Sequence, residues 1–426
     1  MTSVAESPVQ PVESPTTASP PPSLGSHFVG RKYVQLVLVL GALSAIGPLT
    51  IDMYLPALPQ LTEQMQASAP QAQMTITALL AGLGLGQLVV GPLSDAVGRR
   101  RPLLTGLAAH AFTSLLCVLA PSIAALTVAR TLQGVAGAAV AVVAMAMVRD
   151  LFSGLRAAQL LSRLVLVIGV APILAPSVGS ALLEVTSWRG IFVVLAVVAV
   201  LLFVLALVAL PETLPPGRRL SARPSQSLRS YATLFHDKIY LAMVAVASLM
   251  FATIFAYVAG SPFVLQNVYQ LTPQQFGLAF GLNGVGLILM TQVNPLLVKR
   301  HGPVKVLTGA VAVAFLASLV LLVVTVTSFG GLIGFLIPLW FVISSAGLSF
   351  PNAPAIALNR HGEAAGTAAA LLGSSQFLIG GLTAPLVGAL DNGTAIPMAA
   401  VIAGTTGLAL ALLLAARRGL DSVSYH

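Results

Sequence analysis

Twelve runs of about twenty apolar residues, separated by short polar connections, dominate this chain. As a helix, a run of that length rises about 30 Å, the thickness of the hydrocarbon core of a bilayer. In hydrocarbon every backbone N–H and C=O needs a partner, and a run this long finds it within its own helix. An all-α membrane protein follows, with helices predicted near 33–56, 73–92, 103–120, 123–148, 159–183, 189–210, 239–262, 274–297, 303–326, 330–351, 364–389 and 395–416. Composition agrees: 57% of the residues are hydrophobic and 8% charged, where soluble proteins carry about a quarter charged.

The net charge of +9 invites a nucleic-acid reading, but its distribution excludes one. Nineteen of the 21 Lys and Arg residues fall on one side of the predicted helices, leaving only Arg130 and Arg189 elsewhere. That bias marks the cytoplasmic face, so both termini are expected in the cytoplasm of a multi-pass inner or plasma membrane protein. Residues 1–30, rich in Pro, Ser and Thr, read as a disordered tail without the charge and apolar core of a signal peptide. The Pro-, Arg- and Ser-rich stretch 212–237 reads as a linker between six-helix halves spanning 31–211 and 238–416, with a tail at 417–426. The connection Gly91–Leu104 has a counterpart in Pro295–Leu307, with Gly98 opposite Gly302, as expected of halves related by an axis along the membrane normal.

Cys117 is the single cysteine, which excludes an intramolecular disulfide, and the six histidines are scattered. No cluster has metal-ligand spacing, so neither metal nor cofactor is expected. Nor does any nucleophile–base or paired-acid arrangement point to an enzyme.

Asp52 is the costliest residue in the chain. A carboxylate within a membrane helix costs about 2.5–3.5 kcal/mol and is normally kept for a pathway or proton relay. Counting from the helix ends puts Asp52 roughly 6 Å deep and Arg130 some 12 Å deep from the same face, which makes Arg130 a candidate partner. Gln133, one turn along, is a candidate partner for Arg130. Two readings of Arg130 stand at this point, proton coupling with Asp52 and a hydrogen-bonded residue that shapes its helix. Polar and aromatic residues inside helices, Tyr54, Tyr257, Gln266, Asn283, Asn352 and Gln376 with Gln133, are candidates for a substrate cavity wall.

GPLSDAVGRR resembles motif A of the major facilitator superfamily through Gly91, Asp95, Gly98, Arg99 and Arg100. The resemblance implies a conformational latch centred on Asp95 and Arg99, with Arg149 and Asp150 as further members. Gly91 is expected to admit a neighbouring helix and Gly98 a tight turn. Arg130, Gln133 and Gly134 resemble motif B. The fifth helix, with Gly169, Pro172, Pro176 and Gly179, resembles the antiporter motif C, but Ser180 stands where a second glycine is common. IDMYLPALP, the segment Ala259–Asn283 and the segment Pro351–Gly373 are similar to the Bcr/CflA drug-resistance branch. This resemblance implies the major facilitator fold and a monomer in the bilayer that exchanges protons for drug-like small molecules. The alternative is a proton-coupled permease for an endogenous metabolite.

Overall fold

The computed structural model describes residues 31–152, 154–219, 234–359 and 365–421. The proposed tail 1–30, most of the linker, the start of the eleventh predicted helix near Glu363 and the last five residues lie outside the described residues. Among the described residues the α-helices with full bounds are α1 Arg31–Asp52, α2 Leu58–Met65, α3 Ala69–Val97, α4 Arg100–Leu119, α5 Ile123–Leu151, α6 Gly154–Leu183, α7 Trp188–Ala209, α8 Lys238–Phe263, α9 Pro273–His301, α10 Pro303–Thr327, α11 Gly331–Leu358, α12 Ala365–Ala389 and α13 Ile396–Asp421. All but α2 are long. Among the described residues eleven spans are long and apolar enough to cross a membrane, and α6 supplies the apolar segment Gly169–Leu183 besides.

The first predicted helix, 33–56, is corrected by the structure: α1 stops at Asp52. Pro56 and Pro59 have no backbone N–H to continue the ladder, so a turn and a 3₁₀ segment, Leu55–Ala57, lead into α2. Asp52 therefore ends a helix instead of lying within one. Elsewhere caps set the boundaries. Ser68 and Gln71 form a capping box at the start of α3, as do Thr272 and Gln275 at the start of α9, each satisfying two orphan N–H groups. The offset relating these boxes is the one that aligns Gly98 with Gly302, and both glycines take positive φ, 100° and 78°. It also aligns Gly82 with Gly286. Gly82 and Gly134 let the α3 and α5 backbones touch, Gly347 does the same for α11 on α9, and Gly286 makes room for the Ser344 and Trp340 side chains.

Basic side chains gather at one end of the bundle: Arg99–Arg101, Arg149, Arg219, Lys238, Lys299, Arg300 and Lys305. The apolar core is organised differently at the two ends. At the basic end it is split, one cluster built from α1, α3, α4, α5 and α7 around Leu40, Leu107 and Met147. The other is built from α8 and α10–α13 around Tyr240, Leu307 and Ala357. At the opposite end a single cluster runs through both sets of helices, from Tyr54, Leu79 and Phe192 to Phe255, Phe276 and Phe335. Large apolar side chains also face outward, Leu119, Val208 and Phe329 among them, as a lipid-facing surface requires.

Candidate transport site and gates

Asp52 is 5% exposed and accepts no hydrogen bond from a described residue. The expected Asp52–Arg130 ion pair is not formed among the described residues, where Arg99 pairs with Asp95 and Asp150. The guanidinium faces another way. Its Nη1 donates to the Thr50 carbonyl at 3.1 Å and to Gln133 Oε1 at 2.7 Å. The group lies 4.8 Å from the Tyr54 ring centre and 5.4 Å from that of Phe192. The physical reason is the early end of α1, which leaves Thr50 C=O without an intrahelical partner, where a cation meets both an orphan carbonyl and the negative helix terminus. Asp52, two residues on, takes no part in these bonds.

Thr50, His110, Ser114 and Gln133 join Arg130 in one fully enclosed polar cluster. The bonds are Thr50 Oγ1–His110 Nε2 at 3.0 Å, Ser114 Oγ to His110 C=O at 2.7 Å and Gln133 Nε2 to Ser114 Oγ at 2.8 Å. Arg130 Nε and Nη2 are buried with no partner.

Two proposed cavity residues are corrected by this geometry. Gln133 is held inside the cluster, and Tyr54 is a core residue bonded to Thr75 and packed on Phe192. Tyr257 stacks on Phe280 with ring centres 5.0 Å apart and receives the Asn283 amide at 3.2 Å. Gln266 donates to Pro56 C=O. Asn352 is tied to Asn294 at 2.6 Å, joining α11 to α9, whereas Gln376 is half-buried on α12 and bonds to no described residue.

Six side-chain hydrogen bonds among the described residues join helices α1–α7 to helices α8–α13: Gln73 to Ala259 C=O, Thr77 to Gly381 C=O, Ser180 to Pro273 C=O, Gln266 to Pro56 C=O, Gln274 to Glu184 and Ser374 to Gly84 C=O. All lie from the level of Gly84 toward the opposite end. The α6–α9 seam contributes through its small residues. Gly277 sits on Ser177 and Ser180, Gly281 and Gly284 lie on Ile173, and Gly169 faces Ile288. Pro172 and Pro176 lie within α6, and Gly179 fits against the Met53 backbone just after Asp52.

At the basic end Arg99 binds Asp95 at 2.5 Å and Asp150 at 2.9 Å, and donates to Ser94 Oγ. Burial alone would lower the Arg99 pKa, but its bonds to Asp150 and Asp95 hold it above the ordinary value. Gly98, at φ 100°, supplies the turn, and a side chain there would strike Glu212 and Arg219. Two latch expectations are corrected. Gly91 faces open space instead of a neighbouring helix, and Arg149, exposed at the end of α5, pairs with no described residue.

Glu212 is an unforeseen member. It accepts the backbone N–H of Arg99, Arg100 and Leu214, while Arg100 reaches back to the Leu207 and Leu210 carbonyls. Helices α4 and α7 thus cap each other. Partial burial would raise the Glu212 pKa, but the three N–H donors and the Arg219 charge hold it below the ordinary value. The sequence signal for Glu212 was weak, one of two acids in a Pro-rich linker. For His110 it was stronger: an imidazole in the middle of an apolar run needs partners.

A bundle of long apolar helices, joined across one end and parted into two cores at the other, has the architecture of a membrane transporter. Its fold matches the crystal structures of a peptide transporter in complex with sulfate (TM-score 0.73, 16% identity, 92% of this chain and 96% of that one) and a D-xylose–proton symporter (TM-score 0.71, 15% identity, 89% and 97%). The Major Facilitator Superfamily profile covers residues 40–385, and the chain belongs to that family. It is 37% identical to the "uncharacterized MFS-type transporter YdgK" of Bacillus subtilis, over 88% of this chain and 93% of the relative. A bicyclomycin resistance protein homolog of Haemophilus influenzae is 32% identical over 85% and 91%. The multidrug resistance protein MdtL of Escherichia coli is 28% identical over 79% and 83%. These relatives place it in the Bcr/CflA-type branch.

Proposed function

We propose that this transporter exports drug-like small molecules in exchange for protons, working by alternating access as a monomer with the two six-helix halves at 31–211 and 238–416. The observation that carries the reading is the divided core. One apolar cluster bridges the halves at the opposite end, while two separate clusters serve them at the basic end. That is one end state of a rocking pair, and a return state needs only to part the seam and close the Asp95–Arg99 face. The basic end is assigned to the cytoplasm by the positive-inside rule, which puts both termini there and the chain in the inner or plasma membrane. Asp52 is the proton site because it is an unpaired acid beside the seam, and the drug substrate class follows from the names of the resistance relatives.

The test compares wild type and Asp52→Asn in an efflux-deficient bacterial host across a compound panel that includes bicyclomycin, and in proteoliposomes carrying a pH gradient. Wild type is expected to raise resistance to at least one compound and to move protons against it, and Asp52→Asn to lose the proton movement. A resistance profile unchanged by wild-type expression refutes drug export, and full coupling in Asp52→Asn refutes the proton site.

A further inference from the structure

The polar cluster beneath Asp52 fixes its own hydrogens. Thr50 Oγ1 lies 2.6 Å from the Ile46 carbonyl, a separation two oxygens reach only with a hydrogen between them. The hydroxyl has one hydrogen, so it can only accept from His110 Nε2 at 3.0 Å. His110 therefore carries its proton on Nε2, a tautomer assigned by counting hydrogens. Ser114 spends its own hydrogen on the His110 carbonyl and accepts from Gln133, whose oxygen accepts from Arg130. Arg130 then donates to the Thr50 carbonyl, which closes a ring through α1, α4 and α5.

We propose that His110, as the Nε2–H tautomer, is a positioning residue for Asp52. It locks the last turn of α1 and keeps the Arg130 guanidinium turned away from the carboxyl group. The inference rests on the reading of Asp52 as the proton site. Two Arg130 nitrogens lack partners, so a guanidinium released from the ring has N–H groups ready for the nearest acceptor. The terminal turn of α1 carries both its present anchor, Thr50 C=O, and Asp52, two residues apart. Without the His110 donor, Thr50 loses its link to α4, and the barrier between Arg130 and Asp52 goes with it.

The experiment uses the full chain in lipid nanodiscs and needs no transported compound. N,N′-dicyclohexylcarbodiimide, which modifies protonated carboxyl groups in apolar surroundings, is applied near pH 7 and the Asp52 adduct is read by mass spectrometry, with Asp52→Asn to identify it. His110→Gln keeps a donor in the Nε2 position and is expected to label like wild type. His110→Leu and Thr50→Val are expected to lose about tenfold or more, as befits a carboxyl gaining an arginine partner. Equal labelling in His110→Leu and wild type overturns the proposal, as does an Asp52 that stays unmodified in wild type. Nitrogen-15 histidine spectra, with the His110 signals identified by their absence from His110→Gln, supply a second arm. A proton on Nδ1, or on both nitrogens, overturns it even if the variants fail to fold. If both arms succeed while Asp52→Asn still couples proton movement to export, the proton-site reading falls and the positioning role stands.

Discussion

Ser180 offers a direct way to weigh the seam between the halves. Its side chain is fully buried, and its hydroxyl lies 2.7 Å from Pro273 C=O across the seam and 2.8 Å from Pro176 C=O in its own helix. One hydrogen serves two acceptors, so replacing Ser180 by Ala removes the lower part of a hydrogen bond's usual worth, about 0.5–1 kcal/mol. The bond across the seam exists only while the opposite end is closed. Its loss is expected to raise the population open at that end by about 2–5-fold, at 1.4 kcal/mol per decade. Spin labels at Gln66→Cys and Asn392→Cys, exposed positions in different halves at that end, with Cys117→Ser to remove the native thiol, report the two populations by double electron–electron resonance. Ser180→Ala is expected to increase the long-distance population within that range. An unchanged distribution refutes the clasp. So does an increase in Ser180→Gly that Ser180→Ala lacks, because that pattern traces to helix flexibility instead of the hydroxyl.

Three further outcomes follow from the same geometry. Gly134→Ala forces a methyl into the Leu79 carbonyl, and overpacking of this kind costs about 1–3 kcal/mol, so its melting temperature in detergent drops; Gly91→Ala, facing open space, leaves it unchanged. Glu212 has a folded pKa below its ordinary value of 4.5, so its contribution to stability is present above that value and fades as pH falls through the folded one. The melting-temperature gap between wild type and Glu212→Ala is therefore widest near neutral pH and closes in acid, and a gap constant with pH refutes the charged cap. Arg130→Met removes a buried charge that has no counter-ion, a change that is often neutral or stabilising. The variant is expected to melt at or above the wild-type temperature yet to lose transport, and a large drop in melting temperature instead marks Arg130 as structural.

Local chemistry made much of the fold legible. Helix number follows from run length, and the tight turn at Gly98 and the Asp95–Arg99 contact follow from residues one helical turn apart. The break of α1 at Asp52 was also written there, in Pro56 and Pro59, but the apolar run continues through it and hides the stop. The facing of side chains was not legible. Helices such as α8 and α10 are so largely apolar that no polar stripe tells which side meets a neighbour and which meets lipid. Tyr54 and Gln133 therefore read as cavity wall when they belong to the core around Arg130. Depth along a helix could be counted for Asp52 and Arg130, but the rotation that turns them apart depends on where α1 ends. Glu212 was hidden for a related reason: its partners are backbone N–H groups, which leave no trace in residue identities.

The composition of the seam explains how such a transporter can close tightly at one end and still reopen. Among the described residues, five of the six side-chain hydrogen bonds that join the halves end on backbone carbonyls, and both Arg99 ion pairs stay within the first half. Neutral bonds of this kind are worth about 0.5–1.5 kcal/mol each. A buried ion pair is different, because separating it strands two desolvated charges at several kcal/mol per ion. The charged groups are kept instead within one half: Arg99 with Asp95 and Asp150 at the basic end, and Arg130 inside its ring of amide, hydroxyl and carbonyl partners. Asp52 is the exception, a lone buried acid next to Met53, whose backbone packs against Gly179 of the seam helix α6. Protonating or ionising that one group changes the electrostatic balance across the seam, while the neutral bonds beside it set only how firmly the halves are held.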